Sequence, residues 1–412
     1  MLTVVDYYLP GIKAGGPVRS VGHLVERMGD RYRFRMVTRD RDAGDQARYP
    51  GIPRDRWHPL HDGGSDVWYL PPGLRGVLEM RRVLARTPHQ ILYLNSLFSA
   101  RMTFVALLLR RFGLVPRTVV VLAPRGELHP GALGTTSWRR WRSVRGARWL
   151  NPGYAKKRIY IGACRALGLL RGVTWQASNA EEAADIRRRI GARAPVMVAP
   201  DLGSDRLSPP GAPAPKEKGV LRVAYVSRIS PKKNLDGAIA MLAQAGGRVT
   251  FDLYGPVEDE AYWSYCRRAL EQLPPGMEAR YHGVLPHVRV SEVLRRHDLL
   301  LLPTWGENFG HVILESLAAG CPVLISDQTP WRRLEQLGVG WDLPLDDPGA
   351  FVGVLRRCLE MDAREHRRWS ERAAAYGQLA SLDAHGLAQN VELFETAARA
   401  AAPHGHRSPR GG

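Results

Sequence analysis

The sequence is poor in cysteine, in long apolar runs and, over its first half, in acidic residues. Its four cysteines, Cys164, Cys266, Cys321 and Cys358, share no spacing typical of a metal or redox site, which suits a reducing cytoplasm. The longest apolar helical stretch, around residues 104–109, ends at two arginines and is far too short to span a bilayer. The N-terminus lacks a basic region followed by an apolar core, so we expect no signal peptide and a cytoplasmic protein.

The shortage of acidic residues is confined to one half of the chain. Residues 1–195 hold 34 of the 59 lysines and arginines but only 14 of the 40 acidic residues, a net charge of +20. The remainder carries 25 basic and 26 acidic residues, a net charge of −1. A basic half suits an anionic membrane, a phosphorylated substrate or nucleic acid. The plain alternative is an arginine-rich surface without a partner, and no recognised nucleic-acid motif is present.

The length of 412 residues predicts two α/β domains, since 44% apolar and 24% charged residues are the proportions of a globular protein. Buried strands alternate with amphipathic helices in both halves, and the polar stretch 40–64 is predicted to be a long exposed loop. The prolines between residues 208 and 215 mark the boundary. We predict a first Rossmann-like domain over 1–200, a linker over 201–219, a second Rossmann-like domain over 220–380, a C-terminal helix over 381–402 and a disordered tail over 403–412.

One stretch of the second half has two glutamates at a place where ligands bind. Residues 299–303 read as a buried strand, and a glycine-bounded loop then leads into a helix that ends at Gly320. Glu307 precedes this helix and Glu315 lies about two turns inside it, roughly 12 Å further along the axis. Because ligands of parallel sheets bind beyond the carboxyl ends of the strands, both carboxylates are predicted to face one.

A second loop offers positive charge at the same edge. Residues 227–236 follow a strand and open a helix, and Arg228 and Lys233 lie within this loop. A helix N-terminus presents free N–H groups, and two cations beside it suit a diphosphate. A solvated basic turn is the alternative.

The two motifs together resemble the signature of glycosyltransferase family 4. The resemblance rests on the pair Glu307 and Glu315, which is followed by Gly320-Cys321-Pro322-Val323, and on Arg228 with Lys233, which are similar to the family's phosphate-binding pair. Members of this family are retaining enzymes that use nucleotide sugars and have the GT-B fold.

Further stretches resemble the family, and in part a bacterial subgroup that makes surface polysaccharide and lipopolysaccharide. Gly15-Gly16 is similar to the N-terminal glycine loop of the family. The subgroup is indicated by residues 95–99, 123–128, 156–157 and 325–331. The resemblance implies an α/β chain of two facing Rossmann-like domains with an interdomain cleft, in which C-terminal helices cross back to the first domain. The first domain would take the acceptor and the second the donor.

The resemblance also implies a role for each matching residue. Arg228 and Lys233 would bind the donor diphosphate and stabilise the leaving group, and Glu307 would hold the transferred sugar. The predicted catalytic residues are Glu307, Arg228 and Lys233, and the predicted donor-binding residues are Gly15, Gly16, Tyr254, Gly255, Val284, Asn308, Phe309, Gly310 and Glu315. The donor's own phosphate would take the acceptor proton, so no cofactor and no metal is expected.

The first half departs from the family at one position. Many members place a histidine after the strand that matches residues 119–122, whereas this chain has Arg125 there and His129 a few residues on. Either residue is a candidate for the family's histidine. With Asn95 and Glu127, they form the predicted acceptor side.

Two further motifs in the first half have alternative interpretations. Asp40-Arg41-Asp42 has the form of an Mn²⁺ site of another glycosyltransferase fold, but we interpret it as a solvated turn. Tryptophan and arginine alternate between residues 136 and 154, which suits either contact with an anionic membrane or a mobile basic insertion. The predicted membrane contacts are Trp138, Arg139, Arg140, Trp141, Arg142 and Trp149.

The resemblance therefore implies a retaining, metal-independent hexosyltransferase. Its expected partners are a nucleotide sugar, a glycan or lipid-diphosphate-linked acceptor and an anionic membrane surface, but not nucleic acid. A cytoplasmic location, peripheral on the inner membrane face, follows from these expectations. The alternatives are a nucleotide-sugar 2-epimerase of the GT-B fold, which the acid-poor first half disfavours, and a non-catalytic scaffold at the membrane.

Overall fold

The computed structural model describes residues 1–60, 65–129, 152–207, 211 and 214–401. The chain divides into two compact units. The first is built from residues 1–128, 156–201 and the segment from residue 384 onward, and the second from residues 129–155 and 202–383. The segment from residue 384 onward thus falls in the first unit, and residues 202–219 of the predicted linker fall in the second, whereas Asp201 falls in the first. The domain boundaries that we predicted stay predictions. The predicted tail, 403–412, lies outside the described residues.

The first unit contains a mostly parallel sheet with the strand order β3-β4-β2-β1-β5-β6-β7-β8. Its central strands are continuous apolar runs, as expected for strands buried on both faces. Only the short β3 pairs antiparallel among the described strands. The strands are β1 Leu2–Val4, β2 Arg35–Arg39, β3 His58–Pro59, β4 Asp66–Leu70, β5 Ile91–Asn95, β6 Val119–Ala123, β7 Val173–Ala177 and β8 Val196–Val198.

Helices connect these strands, and the C-terminal helix, Ala384–Ala401, packs in the same unit. Phe394 of this helix lies edge-on to Tyr93 at 5.3 Å between ring centroids, and Asn390 Nδ2 donates to the carbonyl of Pro200 at 2.9 Å. The C-terminal helix is therefore part of the first core. The other helices of this unit are α1 Gly16–Met28, α2 Gly73–Arg86, α3 Val105–Arg111, which continues a π-helical turn Ala100–Phe104, α4 Pro152–Ala166, which belongs to this unit from residue 156 onward, and α5 Ala180–Ile190.

The predicted exposed loop over residues 40–64 is wrong in part. Asp40 and Asp42 are buried, and the short strand β3 lies within this stretch. The carboxylate of Asp42 accepts hydrogen bonds from the backbone N–H groups of Ile12 at 2.8 Å and Lys13 at 3.1 Å. Asp40 pairs with Arg41. The Asp-x-Asp motif is thus an internal support for the loop before α1 rather than a solvated turn.

The second unit contains a parallel sheet with the strand order β11-β10-β9-β12-β13-β14. Its strands are β9 Val220–Val226, β10 Arg248–Tyr254, β11 Met277–Tyr281, β12 Leu299–Leu302, β13 Val323–Ser326 and β14 Gly340–Leu343. Its helices are α6 Leu235–Ala245, α7 Glu260–Leu270, α8 His287–Arg295, α9 His311–Ala318, α10 Leu334–Leu337, α11 Pro348–Glu360 and α12 Ala363–Ser381.

The order of strands in the second unit positions its loops. β9 and β12 are neighbours at the centre of the sheet, and their partners β10 and β13 flank them. Because all these pairs are parallel, the loops after β9, β10 and β12 emerge at one carboxyl edge. The prediction of two Rossmann-like α/β units with parallel sheets is confirmed.

Candidate functional site

The loop after β9 is held to the loop after β12 by hydrogen bonds. It contains a 3₁₀ turn, Pro231–Lys233, and then Asn234, whose φ of 57° lies in the left-handed region that asparagine tolerates. Asn234 Nδ2 donates to the carbonyl of Pro303 at 2.8 Å, and the N–H of Trp305 donates to the carbonyl of Lys232 at 2.8 Å. The basic loop and the glutamate loop therefore form one rigid edge.

The glutamate loop is shaped by a glycine and supported by the segment after β13. Gly310 has a φ of 81°, in the left-handed region that favours glycine. Trp331 Nε1 donates to the carbonyl of Phe309 at 2.6 Å, and the N–H of Glu307 donates to the carbonyl of Gln328 at 2.9 Å. These bonds fix the backbone of residues 307–310 before α9 begins.

Glu307 and Lys233 form a largely buried ion pair at this edge. Their side chains are 14% and 11% exposed, and Lys233 Nζ donates to Glu307 Oε1. Burial raises the pKa of Glu307, but Lys233, Lys232 and Arg228 lower it by more, so its pKa lies below the usual value. The carboxylate is therefore ionised at neutral pH and can accept hydrogen bonds from hydroxyl groups.

Arg228 lies on the open side of the same loop. It pairs with Glu258 at 3.0 Å, and both side chains are partly exposed. An ion pair of this kind contributes little to stability, about 0–1 kcal/mol, so Arg228 can exchange Glu258 for another anion at small cost.

Lys232 is a residue of this site that the sequence reasoning missed. Its Cε lies 3.6 Å from the position that a Cβ on Gly306 would take. Burial, Lys233 and Arg228 lower the pKa of Lys232 to about 8, with Glu307 and Glu258 acting against them. Within the part of the chain that the structure describes, no hydrogen bond or ion pair of its ammonium group is found. The sequence pattern predicted that the loop containing Pro231, Lys232 and Lys233 binds a ligand. It did not single out the side chain of Lys232 within that loop.

Glu315 lies in α9 and is 6% exposed. Its Oε1 is 3.7 Å from Nδ1 of His287, the first residue of α8. His287 was also missed, because nothing in its local sequence indicates the approach of α8 to α9.

The residues predicted to line a nucleotide base lie at the carboxyl ends of β10 and β11 or just beyond them. Tyr254 stacks on His282 with 4.6 Å between ring centroids, and the hydroxyl of Tyr281 donates to the carbonyl of Gly255 at 2.8 Å. A Cβ on Gly255 would come within 1.9 Å of the carbonyl oxygen of Ser227, so this glycine permits the two loops to touch. Val284 is exposed beyond them. The structure thus places these residues at the same sheet edge as the glutamates.

The glycines that we predicted to contact the donor from the first half of the chain lie in the first unit. Gly15, with a φ of 68°, precedes α1, and Gly16 is the first residue of that helix. Asp42 fixes the preceding turn through the N–H groups described above. Both glycines remain predicted donor contacts.

Arg125 is buried in the first unit, where its guanidinium group is bonded to other side chains. Its side chain is 7% exposed, and its Nη1 pairs with Asp201. Its Nη2 donates to Asn95 Oδ1 at 2.9 Å and to the hydroxyl of Tyr93 at 2.7 Å. This bonding favours a structural role over contact with an acceptor.

Glu127 is bound to the loop after β5. It accepts from the hydroxyl of Ser96 and the N–H of Leu97, both at 2.6 Å, and from the N–H of Phe98 at 3.2 Å. Burial raises its pKa, and these three donors act against that. The acceptor contacts proposed for Asn95 and Glu127 stay predictions.

His129 differs from the other predicted acceptor residues because it belongs to the second unit. A Cβ on Gly306 would lie 3.5 Å from its imidazole ring. Of the two candidates for the family's histidine, His129 is therefore the one beside the glutamate loop. Its function stays a prediction.

Three predictions concern membranes and metals. Trp138, Arg139, Arg140, Trp141, Arg142 and Trp149 lie outside the described residues. Among the helices that are described, none is both long and apolar enough to cross a bilayer. Over the same ranges no three His, Cys, Asp or Glu side chains gather as metal ligands would, and the expected independence from metal stays a prediction.

Sequence comparison matches parts of this chain to known proteins. Residues 212–376 match a family model described as glycosyl transferases group 1. D-inositol 3-phosphate glycosyltransferase of Geodermatophilus obscurus is 32% identical over 215 residues, which are 46% of this chain and 47% of that protein. The chain thus spans about half the length of this curated relative.

Solved structures resemble the whole chain. Sucrose-phosphate synthase from Thermosynechococcus elongatus is 17% identical, with a TM-score of 0.73 over 97% of this chain and 99% of that one. Anabaena HepE in complex with UDP and glucose is 15% identical, with a TM-score of 0.67 over 96% of this chain and 99% of that one. Residues 212–376 therefore carry the pattern of the group 1 glycosyl transferases, and the two Rossmann-like units are those of the GT-B fold.

Proposed function

We propose that this protein is a retaining glycosyltransferase. It moves a hexose-type sugar from a nucleoside-diphosphate sugar to a glycan or lipid-linked glycan in the synthesis of a surface polysaccharide or lipopolysaccharide. The observation that carries this proposal is the meeting of an ionised, largely buried carboxylate, Glu307, with Lys233, Lys232 and Arg228 at one sheet edge. A sugar hydroxyl suits the carboxylate, and a diphosphate suits the cations.

The geometry supports a direction for the donor. The diphosphate would lie against the loop 228–233, where Arg228 and Lys233 would stabilise the charge on the departing nucleoside diphosphate. Glu307 would bind hydroxyls of the transferred sugar, with the backbone of residues 308–310 beside it. Glu315 would bind the ribose hydroxyls, and residues 254–255 and 284 would line the base.

The proposed reaction balances without a further reagent. The bond between the anomeric carbon and the phosphate oxygen breaks, and the acceptor oxygen forms a bond to the same face of that carbon. The acceptor proton passes to the leaving phosphate oxygen. Glu307, already ionised, positions the sugar rather than moving this proton. No metal is required in this scheme, because the cationic side chains of the loop 228–233 neutralise the charge of the diphosphate.

The donor is tested by thermal shift with a panel of UDP-, GDP-, ADP- and dTDP-sugars. A true donor at about 100 times its dissociation constant stabilises the protein by about 2.7 kcal/mol. Product analysis by NMR then reports whether the anomeric configuration is retained, and a parallel reaction with EDTA tests the independence from metal. If no nucleotide sugar shifts the melting temperature and none is hydrolysed, the proposal fails.

The acceptor is the less constrained half of the proposal. The basic first half suits a phosphorylated or lipid-diphosphate-linked glycan. The name of the Geodermatophilus relative points to an inositol phosphate, so this compound belongs in the acceptor panel. The relatives found by sequence and by structure do not favour a nucleotide-sugar 2-epimerase or a non-catalytic scaffold, and we propose neither.

Membrane contact by residues 138–149 completes the proposal and implies a peripheral location on the cytoplasmic membrane. Indole rings suit the headgroup region, and arginines suit anionic lipids. Co-sedimentation with anionic liposomes compares the wild type with the variant W138S/W141S/W149S. Equal binding by both proteins would contradict this contact.

A further inference from the structure

The first sheet has its own position for a ligand, between the carboxyl ends of β1 and β5. The chain passes from β1 to β2 on one side and later returns to β5 on the other, and both neighbours are parallel to β1. In open α/β sheets, ligands bind beyond the carboxyl ends of the strands where the strand order reverses in this way. The donor loop 228–233 belongs to the second unit, so a ligand at this position meets different residues.

Side chains join the loops that meet at this position. Asp6 follows β1 and accepts from the hydroxyl of Ser99, which follows β5, at 2.8 Å. It also pairs with Arg39, the last residue of β2. Arg39 in turn donates to the hydroxyl of Tyr7 at 3.2 Å. The ends of three strands are therefore held in one arrangement.

Arg101 brings a positive charge to the same position. It lies in the π-helical turn after β5, and such turns are frequent at functional sites. Its Nε and Nη2 atoms are buried and have no hydrogen-bond partner among the residues that the structure describes. A Cβ on Gly76 would collide with Nη2, so the guanidinium packs against bare backbone of α2. The side chain as a whole is partly exposed, which leaves its charge open to a ligand.

The carboxylates that act on Arg101 are paired with other arginines. Asp6 pairs with Arg39, while Asp40 pairs with Arg41 at 2.9 Å and with Arg54 at 3.6 Å. Burial and Arg39 lower the pKa of Arg101, and the two carboxylates act against them without outweighing them. We call these six side chains the arginine site: Arg39, Arg41, Arg54, Arg101, Asp6 and Asp40. Four of the six are cationic and two are anionic, which leaves an excess of two positive charges.

We propose that the arginine site binds the phosphate group of a phosphate monoester. The further statement that this phosphate belongs to the acceptor rests on the proposed function. A phosphate monoester carries close to two negative charges at neutral pH and matches the excess of the site, whereas the carboxylate of a uronic acid carries one. The planar guanidinium of Arg101 suits phosphate oxygens through paired hydrogen bonds. The exposed arginines of the first half would attract the acceptor at long range, and the arginine site would hold its phosphate.

Binding of glycerol 3-phosphate to the full chain tests the site without donor and without turnover. Isothermal titration at constant ionic strength should show that Arg101→Met weakens binding by about 10- to 100-fold, because a hydrogen bond to a charged group is lost. Glucuronate should bind the wild type more weakly than glycerol 3-phosphate does. Methionine keeps an apolar stem and removes a charge that the fold leaves uncompensated, so the melting temperature without ligand should not fall.

Three further variants serve as controls. Arg81→Gln removes an exposed arginine of α2 and should bind as the wild type does. Arg54→Gln changes a partly exposed side chain and should also weaken binding, so it tests the site if Arg101→Met does not fold. Arg228→Gln reports phosphate bound at the donor loop instead. Wild-type affinity in folded Arg101→Met, a loss in Arg228→Gln but not in Arg101→Met, or equal binding of glucuronate would overturn the proposal.

Steady-state kinetics then separate this site from the proposed function. Arg101→Met should raise the KM for a phosphorylated acceptor by the same 10- to 100-fold and leave the KM for the donor unchanged. The KM for the dephosphorylated acceptor should not change either. Phosphate binding that depends on Arg101 without any sugar transfer would support the site and contradict the proposed function. Transfer to a phosphorylated acceptor with the same KM in Arg101→Met as in the wild type would overturn the site and leave the proposed function intact.

Discussion

At the scale of single residues, Glu307 is the side chain on which the proposed chemistry depends most directly. Its low pKa arises from three neighbouring cations that outweigh the effect of burial. An ionised carboxylate that neighbouring cations hold in place is well suited to accept hydrogen bonds from sugar hydroxyls in one orientation. Each hydrogen bond to a charged group contributes about 1.5–3 kcal/mol.

The substitution Glu307→Gln should lower kcat by about 100-fold while the protein still folds. The amide preserves the shape of the side chain but removes the charge that binds hydroxyls and faces Lys233. Steady-state kinetics with the identified donor measure the effect, and circular dichroism checks the fold. Retained turnover in a folded variant would mean that the sugar binds elsewhere.

Lys232 should make donor binding depend on pH. Its pKa of about 8 means that it is charged below that pH and neutral above it. A bound diphosphate stabilises the charged form, so affinity should be highest below pH 8 and fall as the pH rises through about 8. Isothermal titration with UDP, if the panel identifies a UDP-sugar donor, or otherwise with the matching nucleoside diphosphate, measures this dependence.

Two variants isolate the contribution of Lys232. Lys232→Met should bind more weakly below pH 8 and lose the decline above it. Lys232→Arg stays charged throughout and should keep the affinity at high pH. The same decline in Lys232→Met as in the wild type would assign the titration to another group.

At the scale of elements, Asp201 ties together several parts of the first unit. Its carboxylate pairs with Arg125, which follows β6, and accepts from the hydroxyl of Ser20 in α1 at 2.9 Å. Arg125 in turn binds Asn95 at the end of β5. A buried charge that joins four segments is costly to leave without its partner.

Asp201→Ala should therefore destabilise the protein by about 3–5 kcal/mol, because it leaves the guanidinium of Arg125 buried and deprived of its carboxylate. Urea unfolding of the first unit, followed by tryptophan fluorescence, measures the loss. Asp346→Asn, at an exposed carboxylate of the second unit, is the control and should change stability little. An effect of Asp201→Ala no larger than that of the control would show that this pair does not hold the elements together.

The elements that the sequence predicted well are those with local signals. Apolar runs such as residues 299–302 are strands in the structure. Wrong or missing predictions involve partners far along the chain. Asp42 is buried because residues 12 and 13 bind it, about 30 positions away. Lys232 is part of the site because the loop at Gly306 folds against it, and no local pattern carries that information.

At the scale of the whole molecule, the division of charge follows the division of proposed roles. Residues 1–195 carry a net charge of +20, and the nearly neutral remainder holds the proposed donor site. The cations of the donor site act at short range beside a largely buried carboxylate, where salt screens weakly. Many of the arginines in the described part of the first half are exposed, where screening is strong.

Salt should therefore affect the two substrates differently. The KM for a phosphorylated acceptor should rise steeply with KCl, because the Debye length falls from about 10 Å at 0.1 M to about 3 Å at 1 M and the long-range attraction of the basic half is lost. The KM for the donor should change less, since its contacts are direct ion pairs. Melting temperatures recorded across the salt series check that the protein stays folded. Equal salt dependence of the two KM values would contradict this division of roles and would assign acceptor binding to short-range contacts instead.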